Sequence, residues 1–337
     1  MQSALAVISL KNIVGNALLV QKRAGVPLIA VVKDDAYGHG AEKVSLALEP
    51  YVSAFAVSTV LEGTALRIAG VGKEILVLTP CLCEEEALSC FFYNLTPTIS
   101  CLAALRLLQK TSEKYGLLLR AQMKLNTGMN RYGFRIERVG AAVKEAKRDG
   151  MEISGVFSHF YAPEDEIARE EQYALFQRGA EEVKSFFPNA VRHLSATGGI
   201  LAGKKYNFDF VRSGIALYGY LPAGFEGKIN VKPAMKIYAT VSQSGMFTGG
   251  GIGYQKSEKH YRKLSTVRLG YGDGFPRAGG MDAIGNLCMD AHVRTGGAPF
   301  GKRRLTLQNV TELAEKQNTI TYEILVNIGK KAEKIYV

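Results

Sequence analysis

Pro27-Leu-Ile-Ala-Val-Val-Lys-Asp-Asp-Ala-Tyr-Gly-His-Gly40 decides how the chain folds and where its chemistry lies. Leu28 to Val32 is an unbroken apolar run with β-branched residues, the pattern of a strand buried on both faces, as parallel strands are. Lys33 follows at its carboxyl end. Gly38 and Gly40 mark a turn, and from Ala41 onward Glu42, Val44, Leu46, Ala47 and Leu48 carry helical spacing. The segment is strand, loop, helix, and in barrels built of such units the active site sits at the carboxyl ends of the strands. A lysine walled there by apolar residues is desolvated, which lowers its pKa toward the range where the neutral amine attacks a carbonyl or takes a proton. The competing reading is a surface lysine that merely ends a strand.

Upstream, residues 11–22 have helical spacing (Ile13, Val14, Ala17, Leu18) and lead into that strand. Downstream, apolar runs at 54–57, 75–78, 117–123, 153–157, 191–194 and 211–217 alternate with helical stretches such as 61–68, 101–114, 137–148 and 164–187. This alternation predicts parallel βαβ units, and their number suits a (β/α)8 TIM barrel over residues 9–222. Near Tyr220-Leu-Pro-Ala-Gly224 the pattern changes. Residues 223–337 are richer in glycine and in short alternating runs, at 237–241, 263–269, 291–294, 304–307, 320–326 and 334–337, which predict strands of a smaller, mainly β domain.

The 337 residues exceed one ordinary core, and 47% hydrophobic with 22% charged residues is a soluble globular composition. No apolar run approaches the length of a membrane span. The apolar residues 4–10 have no basic residue before them and no convincing cleavage site after them, so a cytoplasmic protein is expected. Cys81, Cys83, Cys90, Cys101 and Cys288 form no disulfide framework, and no second Cys/His pair stands at zinc spacing from Cys81-Leu-Cys83. Reduced thiols and no metal are the expectation. The net charge of +11 raises nucleic-acid binding, with Gly301-Lys-Arg-Arg304 the densest patch. Its basic residues are otherwise scattered without aromatic interleaving, which favours a solvated surface compatible with anionic small molecules.

Val31-Val-Lys-Asp-Asp-Ala-Tyr-Gly-His-Gly40 resembles the pyridoxal-phosphate lysine motif of the alanine racemase family, V-V-K-A-N-A-Y-G-H-G. Further matches follow in the family's order. Lys124-Leu-Asn-Thr-Gly-Met-Asn-Arg131-Tyr-Gly is similar to K-x-D-T-G-M-x-R-x-G, with Asn126 in place of the aspartate. Asp209-Phe-Val-Arg-Ser-Gly-Ile-Ala-Leu-Tyr-Gly219 resembles V-R-x-G-I-x-x-Y-G, and His193-Leu-Ser-Ala-Thr-Gly-Gly stands where the family has A-N-S-A. Gly251-Ile-Gly-Tyr254, Gly270-Tyr-Gly-Asp-Gly-Phe-Pro-Arg277, Gly285-Asn-Leu-Cys-Met-Asp290 and Thr321-Tyr-Glu-Ile324 complete the series. Between Arg277 and Gly285, and again over 298–318, the chain is shorter than the family usually is.

The resemblance implies a pyridoxal 5'-phosphate racemase of amino acids, alanine by default and serine or a larger residue as alternatives, working as a head-to-tail homodimer. Lys33 would carry the cofactor and act as one acid/base, and Tyr254 of the partner subunit as the other. Tyr37, Thr197, Gly214, Ile215 and Tyr322 would hold the phosphate. Arg212, a donor only, would face the pyridine nitrogen, with His159 hydrogen-bonded to it from behind. Arg131 would donate to the cofactor's phenolic oxygen and to the substrate carboxylate, the backbone of Met289 would contact substrate across the dimer, and Tyr271 would stand near the site entrance. In some family members the lysine matching Lys124 is carbamylated. The first eight residues would add a strand to the C-terminal domain. Taken without the motif, Tyr37 and Tyr254 read as loop aromatics, Thr197 as a ligand-free helix cap and His159 as a structural histidine. Two relatives of the barrel are rivals: a single-domain pyridoxal-phosphate-binding protein, against which the β domain and Tyr254 speak, and a decarboxylase with an acid at the pyridine nitrogen, against which Arg212 speaks.

Overall fold

Eight short parallel strands close a ring. The computed structural model describes residues 4–118, 120–247, 249–252, 254–257, 261–277, 283–294, 299–307 and 309–337, with the backbone alone at 257 and 261–263. Strand β1 (Ala4–Ile8) and helix α1 (Leu10–Ala24) precede the barrel, which begins at β2 (Leu28–Val31). Then come α2 (Ala41–Leu48), β3 (Ala54–Val57), α3 (Val60–Ile68), β4 (Glu74–Val77), α4 (Glu84–Phe92), β5 (Thr98–Ile99), α5 (Leu102–Tyr115) and β6 (Arg120–Asn126). A side strand β7 (Phe134–Arg135), α6 (Ile136–Arg148), β8 (Glu152–Phe157), α7 (Glu166–Phe186), β9 (Val191–His193), α8 (Thr197–Ala202) and β10 (Val211–Ser213) finish the circuit.

Parallel ladders join β10 to β2, β2 to β3, β3 to β4, β5 to β6, β6 to β8 and β8 to β9. The remaining gaps are bridged by a few backbone bonds: Val77 N donates to Thr96 O and Thr96 N to Ile75 O, each at 2.9 Å, while Arg212 N donates to Ser195 O at 3.0 Å and Phe210 N to Arg192 O at 3.2 Å. β2 and β3 are apolar runs because both their faces are covered, by the barrel interior and by the helices, whereas β6, β9 and β10 carry polar residues such as Gln122, Lys124, His193 and Arg212.

The second unit is a sheet of β11 (Met235–Phe247), β14 (Tyr261–Arg268), β15 (Ala283–Ile284), β16 (Ala291–Arg294), β17 (Arg303–Leu307) and β18 (Glu333–Tyr336), with a separate hairpin of β12 (Gly250–Ile252) and β13 (Gln255–Ser257). Its helices are α9 (Thr311–Lys316) and α10 (Thr321–Lys331). β1 lies inside this sheet, antiparallel to β11 and parallel to β18.

Three predicted strands differ from the structure. Residues 321–326 belong to helix α10, with Ile320 capping it: Ile324, Leu325 and Ile328 are buried at helical spacing, and the alternation of Ile320, Tyr322, Ile324 and Val326 that reads as a strand is incidental. Strand β6 is displaced toward the carboxyl end, so Lys124 lies within it instead of after it. The run 211–217 is strand only to Ser213 and then becomes a 3-10 turn, Ile215–Tyr218. Most of the shortened connection between Arg277 and Gly285 lies outside the described residues.

Helix α10 lies against the loop that follows β2. A Cβ on Gly38 would stand 2.6 Å from Leu325 O and 2.8 Å from the Cα of Gly329, so the two backbones touch where neither residue has a side chain. Lys330 pairs with Asp34, and Lys334 Nζ with Asp35 Oδ2 at 3.0 Å. The domains therefore meet at the residues that follow Lys33.

Candidate active site

After Lys33 the backbone makes a turn of the wrong hand. Asp34, Asp35, Ala36 and Tyr37 have φ of 56°, 56°, 54° and 53° with ψ between 41° and 51°. An L residue in this conformation costs about 1–2 kcal/mol, so four in succession stand only where the surroundings hold them. The bonds are present: Asp34 N donates to Glu62 Oε1 at 2.7 Å, Ala36 N to Val32 O at 2.9 Å, and Ala41 N to Asp35 Oδ1 at 2.8 Å. The His39 ring places Nδ1 3.1 Å from both Ala36 O and Tyr37 O and lies 4.5 Å from the ring of Tyr218, tilted by 31°. Glu62 also accepts from Ser58 N at 2.6 Å and Thr59 N at 3.1 Å. One carboxylate thus ties the start of α3 to the residue after Lys33.

The turn swings Tyr37 inward. Its ring lies 5.0 Å from that of Tyr218 and 5.7 Å from that of Tyr322, which α10 supplies from the second domain. A Cβ on Gly214 would stand 2.5 Å from Tyr37 Oη, so the phenol rests on bare backbone where the 3-10 turn begins. Thr197, opening α8, has its Oγ1 3.0 Å from Ser213 Oγ, and both are buried. Burial holds the Tyr37 phenol far above its usual range, with Tyr322 next in effect, and pushes Tyr322 up to about 12, so both stay protonated donors.

Lys33, Lys124, Arg131 and Arg212 gather with the imidazoles of His159 and His193. Burial and then the Arg131 charge lower Lys33, against the opposing pull of Glu62 and Asp34. Lys124 is 7% exposed, with Nζ 5.4 Å from the centres of the Tyr132 and Phe157 rings. Burial, then Arg212, Arg131 and Lys33, lower its pKa to about 7. No carboxylate pairs with it among the described residues. Arg212 is buried, and burial brings its pKa down to about 9, which leaves it charged at neutral pH. Its Nη1 donates to His193 O at 2.9 Å and meets His193 Nδ1; its Nη2 donates to Leu194 O at 3.0 Å and to Ser158 O.

The imidazole that meets Arg212 is thus His193. His159, the expected partner, lies at the end of β8 and is held neutral by burial and then by Arg212, with no hydrogen bond from its ring among the described residues. Both histidines end barrel strands, but only His193, beside Phe157 at 5.0 Å and 4°, is aimed at the guanidinium. Asn126 does the work expected of the missing aspartate, its Oδ1 accepting from Gly128 N and Asn130 N at 3.1 Å each. This shapes the loop that carries the exposed Arg131.

Tyr254, Tyr271 and Met289 stand apart from this cluster. Tyr254 is 87% exposed on the β12–β13 turn, and Tyr271 and Met289 are 46% and 59% exposed. The last two form one patch, with Tyr271 N donating to Cys288 O at 2.9 Å. A Cβ on Gly285 would lie 2.8 Å from Ile252 O, which seats the hairpin beside that patch.

Profiles of the two family domains cover nearly the whole chain: alanine racemase, N-terminal domain, over residues 8–222, and alanine racemase, C-terminal domain, over 234–336. The chain belongs to the alanine racemase family. It is 31% identical to the alanine racemase of Desulfosudis oleivorans over 99% of this chain and 96% of that one, and 30% identical to that of Deinococcus deserti over the full length of both. Among solved structures, alanine racemase of Clostridium difficile superposes with a TM-score of 0.91 at 25% identity, over 100% of this chain and 96% of that one. Alanine racemase of Bartonella henselae, with covalently bound pyridoxal phosphate, gives 0.85 at 26% identity over all of both chains. The racemase fold agrees with the expected barrel and mainly β domain, and the family match sets both rival readings aside.

Sequence reasoning missed Glu62 and the role of His193. Thr59-x-x-Glu62 is a capping-box signature that marks Glu62 as a backbone ligand, and Glu62 N does donate to Thr59 Oγ1 at 3.3 Å.

Proposed function

We propose that this chain racemises alanine with pyridoxal 5'-phosphate, in a homodimer whose sites each combine Lys33 of one subunit with Tyr254 of the partner subunit. The observation that carries the reading is the pairing of a depressed Lys33 amine with a donor-only Arg212 across a floor of buried donors. The residues fit the cofactor. Tyr37, Tyr322 and Thr197 are protonated hydroxyls around the bare backbone of Gly214 and Ile215, a set suited to a phosphate. Of the five guanidinium N–H groups, four are taken by His193 Nδ1, His193 O, Leu194 O and Ser158 O, which leaves the Nε–H for an acceptor such as a pyridine nitrogen.

When bound, pyridoxal phosphate supplies an aldehyde for the substrate amine and a conjugated ring that spreads the charge left at Cα. Arg212 can donate but not accept, so it tempers that electron withdrawal. Arg131 presents a planar fork to the substrate carboxylate. Lys33, made less basic by its surroundings, holds or removes the Cα proton on one face, serving the D enantiomer. Tyr254 of the partner subunit does so on the other, serving the L enantiomer. Two bases on opposite faces are what inversion requires. Met289 and Tyr271 would line the approach to the partner's site, and His159 would keep the cationic floor company as a neutral ring.

A neutral Lys124 amine beside two arginines is also set to add carbon dioxide, giving a carbamate and a released proton. The carbamate would put one negative charge among Arg131, Arg212 and Lys33. The five cysteines are all free thiols, which supports a reducing, cytoplasmic setting, with D-alanine for peptidoglycan as the product. No helix of the described residues is long and apolar enough to cross a membrane. To test the reading, the protein is incubated with pyridoxal phosphate and separately with L-alanine, L-serine, L-lysine and L-arginine, and products are resolved by chiral chromatography. D-alanine forming fastest is expected. Cofactor binding with no enantiomer from any of the four would overturn it.

A further inference from the structure

Behind Arg212 a line of hydrogen bonds runs down the barrel interior and out at its other end. His193 Nε2 lies 2.7 Å from Gln122 Oε1, Gln122 Nε2 lies 3.4 Å from Glu74 Oε1, and Glu74 also takes the Thr96 hydroxyl at 3.0 Å and Arg120 at 3.2 Å. Gln122, on β6 two residues before Lys124, is 3% exposed, and His193 is fully buried. Room for the amide comes from Gly155 on β8, where a Cβ would stand 2.8 Å from Gln122 Cδ.

The two ends of this line fix its direction. Arginine offers only hydrogens and an ionised glutamate only lone pairs. His193 must therefore present the lone pair of Nδ1 to Arg212 and carry its proton on Nε2. Gln122 must then accept with Oε1 and donate with Nε2. Reversing either side chain would set donor against donor at Arg212 or acceptor against acceptor at Glu74. Burial and then the Arg212 charge also keep His193 neutral.

We propose that Gln122 is a positioning residue for the reaction: it locks His193 in the Nε2–H tautomer, which holds the Arg212 guanidinium in the plane that aims its Nε–H into the site. The inference rests on the reading of Arg212 as the group under the cofactor ring. Without Gln122, the His193 Nε2–H loses its only acceptor among the described residues, in a dry site, an uncompensated polar group of the kind that forces rearrangement. The tautomer with Nδ1–H then competes, and it faces Arg212 with a second donor.

The test reads the tautomer directly. The full chain has five histidines, which selective 15N labelling resolves, and His193 is assigned by the signal lost in His193→Asn. Before and after loading with pyridoxal phosphate, the expected His193 state at neutral pH is Nε2 protonated and Nδ1 bare. Gln122→Met, close in shape and without an acceptor, is expected to shift His193 toward the other tautomer. It should also lower kcat for alanine roughly tenfold to a hundredfold, leave KM within about twofold, and move the visible band of the bound cofactor. A wild-type His193 carrying its proton on Nδ1, or on both nitrogens, overturns the proposal. So does a methionine variant with unchanged tautomer and kcat. Should that variant not fold, Glu74→Gln at the far end serves instead: removing the acceptor-only terminus should mix the two tautomers, and an unmixed signal counts against the directional chain. Loss of racemase activity by the wild type would sink the functional reading but leave the tautomer in the cofactor-free protein as measured.

Discussion

The barrel half of the site and the C-terminal half differ in how finished they are. Lys33, Tyr37, Lys124, His159, Thr197 and Arg212 sit in packed, buried or half-buried surroundings within one chain, Thr197 and Arg212 also held by side-chain bonds to neighbouring segments. Tyr254, Tyr271 and Met289 are held by a hairpin and a loop and face solvent. Groups that must be kept in an unusual charge state need a dry, packed setting. In the proposed dimer Tyr254 would work on a second chain's substrate, so it needs to protrude, and its surroundings would be incomplete until that chain arrives.

Mixing subunits breaks or sharpens this contrast with the largest expected effect. Lys33→Ala and Tyr254→Phe should each abolish racemisation alone, the second with cofactor binding and melting temperature retained. Allowed to exchange subunits in equal amounts, the two should recover about a quarter of wild-type activity, because half the dimers hold one intact pair. No recovery from folded, exchanging variants would place both residues in one chain's site.

Lys124→Met should lose most activity yet make the protein more stable. In the folded state the amine titrates near 7, far below its unfolded value of 10.5, so between those values the unfolded chain binds the extra proton. Stability therefore rises with pH across that window, and the burden is greatest below about pH 7. Removing it should add on the order of a few kcal/mol there, read by urea unfolding at several pH values. A flat difference between variant and wild type would refute the shifted amine. Raising bicarbonate should add the mass of one carbon dioxide to the Lys124 peptide under native mass spectrometry.

Glu62→Ala removes the acceptor of three backbone N–H groups and should cost about 2–3 kcal/mol, together with weaker attachment of the cofactor at Lys33. Tyr254→Phe, at a residue 87% exposed, should cost nothing in stability. Smallest of all, Lys334→Ala opens the partly exposed pair with Asp35 and should lower stability by less than about 1 kcal/mol, an effect that fades in high salt.

The barrel was plain in the sequence because parallel strands buried on both faces leave runs such as Leu-Ile-Ala-Val at 28–31 that few other structures produce. Helix α10 was not, because Thr-Tyr-Glu-Ile-Leu-Val satisfies two periods at once and only its packing on the Lys33 loop selects the helical one. The left-handed turn has only a weak local signal: Asp34 and Asp35 tolerate this conformation better than most residues, but Ala36 and Tyr37 do not, and the support comes from Glu62, Lys330 and Lys334 at a distance. Which of two strand-ending histidines meets Arg212 depends on where each ring points, and a sequence does not carry that. Gln122 reads as one more residue of a strand until the groups at both ends of it are known.

The first strand has a further consequence for how the protein comes to be made. β1 precedes the whole barrel in the chain, yet its partners β11 and β18 follow it, and Val337 N donates to Ile8 O at 2.9 Å. During synthesis this strand emerges long before the sheet that will receive it, and it waits, apolar and unpaired, while the barrel closes. The second domain cannot be cut away as a fragment without losing an interior strand. Two structural units are in this sense one unit of biogenesis, tied shut by the segment that leaves the ribosome ahead of both.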